Sequence, residues 1–294
     1  MKMDRRAFLS HAAAAGLLLP ATAARAEGEP KLVREDYAVA RERFRTHLTQ
    51  TGPSPDPPQP LSPPHGARRL DYRSGPLRLA AWVSENADVS RPRPGVLVLH
   101  GGNALWPGHW DDLAHPFMKA GYVAMIPAMR GENGLPGSFS GFYDETADVL
   151  AAADVLRAYP GVDQTRLYIA GHSVGGTLTL LAAMSRHPFR AAAAYAGNPD
   201  ARAFFRHFPE DIRFDADDPQ EFDMRSPVCF AGSFKCPVLM LHGSKEMNSD
   251  HTVRLTVSRA RAAGLDVRRA IVEGDHSSAI PGESAEALRF FETI

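Results

Sequence analysis

Three short, nearly unbroken apolar runs constrain this chain most: Val96-Leu-Val-Leu99, Leu167-Tyr-Ile-Ala170 and Val238-Leu-Met-Leu241. A strand with one face in water alternates apolar and polar residues. A strand covered on both faces by helices does not, and that is the situation in a parallel sheet. Residues 122–126, 191–196 and 267–272 are weaker runs of the same kind, and helical patterns lie near 110–120, 142–158, 174–186, 250–264 and 283–293. This alternation predicts an α/β domain: a mostly parallel central sheet flanked by helices. Residues 68–73 and 77–83 read as two further strands around a Ser74-Gly75-Pro76 turn. A chain of 294 residues accommodates one such large domain.

Two segments break the pattern. Ahead of the sheet, Val33, Tyr37, Ala40, Phe44 and Leu48 recur at helical spacing, which predicts an amphipathic helix over 31–50. Seven prolines follow in residues 51–66. Proline lacks an N–H and fixes φ, so this stretch is a stiff, extended connector. Residues 27–67 therefore form a helix and Pro-rich arm, and 68–294 the main domain. Within that domain, residues 201–226 are charged and aromatic, with Phe204, Phe205, Phe208, Phe214 and Phe222. They read as a small cap over the carboxyl edge of the sheet or as a surface excursion packed by its own phenylalanines.

The N-terminus has the three parts of an export signal: Arg5-Arg6-x-Phe8-Leu9, an Ala/Leu stretch from Ala12 to Ala24, and the small-x-small sequence Ala24-Arg25-Ala26 before Glu27. The paired arginines resemble a twin-arginine leader, so the expected location is periplasmic or secreted, with cleavage near Ala26. Lys2, Arg5, Arg6 and Arg25 against Asp4 give the leader a net +3 and leave the rest near −4, from a whole-chain charge of −1. That balance gives no footprint for nucleic acid. No run of 18 apolar residues marks a membrane span. Cys229 and Cys236 lie seven positions apart. An oxidising compartment would let them pair, for about 2–3 kcal/mol of loop-closure entropy at best; two buried free thiols are the alternative.

Chemistry concentrates at the ends of the apolar runs. Gly171-His172-Ser173-Val174-Gly175-Gly176 follows one run and opens the 174–186 helix. This G-x-S-x-G turn raises a serine above a sheet edge and sets the Val174 N–H at a helix N-terminus, where an oxyanion is favoured. His100-Gly101-Gly102-Asn103 follows the run at 96–99. It supplies a second oxyanion donor, the Gly102 N–H, with Asn103 as the other choice. A serine hydroxyl needs a base. His276, in Gly274-Asp275-His276-Ser277, lies after the last strand candidate, where the order Ser, acid, His requires it. The acid follows residues 238–241: Glu246 is the first choice, Asp250 and Asp200 the rivals. His172 and His100 read as structural, and Trp106, Trp110, Phe139, Phe142 and Tyr143 as pocket lining or core. There is no GxGxxG, GxxxxGK, HExxH or CxxC, so no cofactor or metal is implied.

These motifs together resemble the catalytic domain of the prolyl oligopeptidase family and the related dienelactone hydrolases. The matching pieces are His100-Gly-Gly, Met129-Arg-Gly131-Glu, residues 141–154, Pro160-Gly-Val-Asp163-Gln-Thr-Arg166, the elbow, Arg225-Ser-Pro227, Cys236-Pro237-Val-Leu-Met-Leu-His242-Gly243 and Gly274-Asp-His276. The resemblance implies an α/β-hydrolase fold and serine chemistry over most of residues 68–294. Three departures accompany it. Glu246 stands where the family usually has Asp, without the Val-Pro that follows it there. The helix and Pro-rich arm precede the sheet, where oligopeptidases carry a large peptide-filtering propeller. Some relatives use a Tyr hydroxyl in the oxyanion hole, where this sequence has His100-Gly101-Gly102. The expectation is an exported serine hydrolase that cleaves a small ester or short peptide through an acyl-enzyme. An acyltransferase on the same triad, or a non-catalytic binding protein of the same fold, is the alternative.

Overall fold

The computed structural model describes residues 29–85, 89–246 and 250–294; the expected leader lies outside them. Eight strands form one sheet: β1 (Ala67–Ser74), β2 (Leu77–Ser84), β3 (Arg93–Leu99), β4 (Val123–Pro127), β5 (Val162–His172), β6 (Ala191–Tyr195), β7 (Val238–Gly243) and β8 (Val267–Val272). Their order is β1-β2-β4-β3-β5-β6-β7-β8. β1 and β2 pair antiparallel, as do β2 and β4. Every other pairing is parallel. This is the α/β-hydrolase fold.

The helices are α1 (Tyr37–Arg43), α2 (His115–Lys119), α3 (Glu145–Arg157), α4 (Val174–Met184), α5 (Ala201–His207), α6 (Pro219–Asp223), α7 (Asp250–Ala262) and α8 (Ile280–Glu292). A π-turn, Trp110–Ala114, leads into α2. The unbroken apolar runs explain the layering. Leu97 and Leu99 of β3 face a core shared with α3, α4 and α7, through Val149, Leu180 and Val257. Val96 and Val98 face the opposite core, with Phe117 of α2 and Phe291 of α8. Each fully buried side chain of this size contributes about 1.5–3 kcal/mol.

The helix expected over 31–50 is much shorter. Asp36 caps α1, accepting from the Ala38 and Val39 N–H groups, and the chain turns extended at Phe44, with φ −75° and ψ 141°. Beyond it, the His47 N–H and the Thr46 hydroxyl go to Glu221, and Leu48 bridges to Phe214. These tertiary partners outcompete helix in a stretch containing the β-branched Thr46, Thr49 and Thr51. The expected apolar face is nonetheless used: Val33, Tyr37, Ala40, Phe44 and Leu48 all pack on the main core.

Residues 201–226 hold α5, α6 and a chain of ring contacts: Phe205 meets Phe142, Phe214 and Phe222 at centroid distances of 5.7, 5.2 and 6.3 Å. Arg225, fully buried, stacks 3.9 Å over Phe214 and donates to the Gly141 carbonyl at 2.8 Å. It also pairs with Glu221. Through Glu221 this segment holds residues 46 and 47 of the arm.

Candidate active site

Ser173 stands between the end of β5 and the start of α4 with φ 56° and ψ −115°. That conformation costs a non-glycine residue on the order of 1–3 kcal/mol, and such strain gathers at functional sites. The neighbouring glycines make the turn possible. A Cβ on Gly171 would lie 2.3 Å from the Gly175 carbonyl oxygen, and one on Gly175 would lie 2.3 Å from that of Leu99. The Ser173 N–H donates to Tyr195 O at 2.9 Å, fastening the elbow to β6. Val174 is the first residue of α4, so its N–H is among the donors that helix geometry leaves without an internal partner.

The loops after β7 and β8 are zipped together. Ser244 N–H donates to Val272 O at 2.7 Å, and Lys245 N–H to Gly274 O at 3.0 Å. Within that pair, His276 Nδ1–H donates to Glu246 Oε1. The other oxygen, Oε2, accepts from the Gly243 N–H at 2.9 Å. Burial alone would raise the Glu246 carboxyl, but His276 and the Gly243 N–H outweigh it and hold it below the usual range. The Asp275 carboxylate accepts from the Ser277 and Ser278 N–H groups and the Ser278 hydroxyl. Those bonds draw it down to about 2 and shape the turn that carries His276.

His172 completes the frame. Its Nε2–H donates to the His276 carbonyl at 2.8 Å, and the two rings lie 4.6 Å apart. Burial, with His276 beside it, lowers His172 to about 4. It therefore stays a neutral donor near neutral pH. The sequence showed only a histidine beside the serine. Its partner lies 104 positions away, beyond any local pattern. His276 Nε2 is buried without a hydrogen-bond partner, so the bond to the Ser173 hydroxyl is open in this conformation. Catalytic hydrogen bonds often close only around substrate.

The loop after β3 lies against the serine: a Cβ on Gly101 would sit 3.3 Å from Ser173 Cβ. Gly102 takes a left-handed φ of 69°. The Asn103 N–H donates to Asp56 Oδ2 at 2.7 Å, which engages one of the two donors weighed from the sequence. Below them, His100 Nε2 meets Glu132 at 3.1 Å and Nδ1 meets the Gly101 carbonyl at 3.1 Å. Burial opposes charge on His100, but Glu132 prevails and raises it. Both ring nitrogens then face acceptors, as a protonated ring requires.

The rival acids lie elsewhere. Asp250 pairs with Arg269, with Arg254 at 3.3 Å and with His242 at 3.5 Å. Asp200 caps α5 through the Arg202 N–H. Trp110, Phe139, Phe142 and Tyr143 are buried, while Trp106 is exposed. Cys229 and Cys236 are separate free thiols, both raised by burial to about 12 and so unreactive. Among the described residues, no group of three or more His, Cys, Asp or Glu side chains is arranged to hold a metal ion.

The model of the prolyl oligopeptidase family matches residues 110–256, half of the chain, including Ser173 and Glu246. The chain belongs to the prolyl oligopeptidase family. Membership places it among the serine hydrolases. It is 26% identical over 196 residues to the uncharacterised peptidase YtmA of Bacillus subtilis (strain 168), covering 60% of this chain and 72% of that one. It is 25% identical over 219 residues to the acylamino-acid-releasing enzyme of Arabidopsis thaliana, covering 66% of this chain but 28% of that one. Among solved structures, Pyrococcus horikoshii acylaminoacyl peptidase superposes with a TM-score of 0.63 at 20% identity, over 76% of this chain and 40% of that one. An esterase of Pyrococcus furiosus gives 0.63 at 16% identity, over 82% and 97%. At these identities the structures speak for the fold alone.

Proposed function

We propose that this family member is an exported serine hydrolase that cleaves carboxylic esters or peptide and amide bonds through Ser173, His276 and Glu246. The observation that carries the reading is the pairing of His276 with Glu246 at the sheet edge that holds the strained Ser173. With Nδ1–H committed to a carboxylate, the imidazole presents Nε2 as the basic nitrogen. Nε2 takes the Ser173 proton as Oγ attacks the acyl carbonyl, and the imidazolium is stabilised by Glu246. The tetrahedral oxyanion accepts from the Val174 and Gly102 N–H groups. His276 returns the proton to the leaving group, forming the acyl-enzyme, and water reverses the sequence. Esters come ahead of peptides, because an alkoxide leaves more readily than an amide anion.

Turnover tests this: p-nitrophenyl acyl esters and aminoacyl p-nitroanilides with wild type and Ser173→Ala. The substitution should cut kcat by a factor on the order of 10⁴–10⁶ with the thermal midpoint unchanged. Near-normal turnover by Ser173→Ala would remove the assignment.

A further inference from the structure

The Pro-rich arm runs along the carboxyl edge of the sheet to the oxyanion loop. Gly52 O accepts from the Phe139 N–H at 3.0 Å, and the Ser54 N–H donates to Gly131 O at 3.0 Å. The Ser54 hydroxyl then donates to Asn103 O at 2.6 Å, and Asp56 Oδ2 accepts from the Asn103 N–H at 2.7 Å. Asn133 Nδ2 donates to Gln59 O at 2.7 Å, anchoring the arm beyond the loop. Asn103 is thus gripped at both its N–H and its C=O, and Ser54 and Asn103 are buried.

The local sequence is suited to this grip. Ser54 and Asp56 alternate with Pro53, Pro55 and Pro57. Proline at the positions around Ser54 and Asp56 fixes φ before folding, so less entropy is lost on docking.

We propose that Ser54 and Asp56 are positioning residues of the active site. By holding Asn103 at both ends, they lock Gly102 in its left-handed conformation and present the Gly102 N–H, rather than that of Asn103, to the reacting carbonyl. The inference rests on the serine-hydrolase reading and extends it to a segment remote from the triad. Asp56 acts on the site through Asn103, as a hydrogen-bond acceptor.

The test compares Asp56→Ala, Asp56→Asn and Ser54→Ala in the full mature chain. Asparagine keeps an acceptor oxygen where alanine has none. Deleting an oxyanion donor outright costs roughly 10²–10³ in kcat, so a loosened donor in Asp56→Ala should cost roughly 10–10². KM should shift less than about threefold, because the contact acts on the transition state. Asp56→Asn should recover most of the rate, and Ser54→Ala should fall between. Wild-type kcat in Asp56→Ala, whatever its melting temperature, would overturn the proposal. So would a change confined to KM. Hydrogen exchange of the peptide spanning residues 99–106 gives a readout that needs no turnover. It should quicken in Asp56→Ala and not in Asp56→Asn, and equal protection in all variants would overturn the proposal too. A wild type that fails to turn over or label at Ser173 would instead remove the hydrolase reading, leaving the exchange result to decide the clamp.

Discussion

At the scale of single residues, the elbow and His276 were legible because their order and local spacing carry the information: apolar run, G-x-S-x-G, helix, then a histidine after the last strand. The carboxylate beside His276 was not legible to that degree. Glu246 and Asp250 stand four positions apart in sequence, and sequence cannot say which turns back toward β8. The structure separates them. A tight turn in which the Glu246 N–H reaches Gly243 O at 3.0 Å aims the Glu246 carboxylate at His276, whereas Asp250 is engaged by Arg269 and Arg254. Glu246→Gln is therefore expected to lower kcat by roughly 10²–10⁴, because an amide can leave the imidazole in the wrong tautomer. Asp250→Asn should cost less than about tenfold. Steady-state kinetics of the two variants checks the ranking, and a larger loss in Asp250→Asn would move the acid. Ser54, Asp56 and the His172–His276 bond were illegible for one reason: their partners lie 47 to 104 positions away, and no periodicity encodes such contacts.

At the scale of elements, β3, β4, β6, β7 and the end of β5 were legible because burial on both faces leaves an apolar run whatever the neighbours are. α1 was not, because helical spacing predicts a face but not where tertiary hydrogen bonds take the backbone away. The first turn of α8 carries a consequence for pH. Glu283 is buried, neither of its carboxylate oxygens has a partner, and burial with Glu246 nearby raises it from 4.5 to about 8. Its folded form holds a proton that the unfolded chain releases near pH 4.5. Its stabilising contribution is thus full below that pH and is lost as pH rises through about 8, by up to about 1.4 kcal/mol per pH unit. His172 has the opposite sign. Its folded value of about 4 lies below the ordinary 6.5, so its contribution is present above pH 6.5 and is lost as pH falls toward 4. Urea denaturation of wild type and Glu283→Gln should give similar midpoints near pH 5 and a more stable variant at pH 8.5. Parallel pH curves for the two proteins would contradict this account of Glu283.

At the scale of the whole molecule, the sheet order places the carboxyl ends of β3, β5, β7 and β8 along one edge, and the four loops they carry bring residues from 101 to 276 to one site. The phenylalanine segment and the arm are joined through Arg225 and Glu221. Both are held by long-range polar contacts, which is why their composition suggested a cap or an excursion, and a connector, without disclosing these partners. Our proposal of export rests on the leader motif. It predicts a mature protein beginning at Glu27 in the periplasmic fraction, and replacing both Arg5 and Arg6 by Lys should leave the precursor uncleaved inside the cell; intact-mass analysis of the two fractions reads the outcome.

Every step proposed above requires Ser173 to be an activated nucleophile. Covalent labelling of the mature protein with a fluorophosphonate, located by peptide mass spectrometry, tests it most directly. One adduct is expected, on Ser173, formed far more slowly in Glu246→Gln and in Asp56→Ala. Folded wild-type protein that carries no adduct at Ser173, or carries it at another residue, would contradict it.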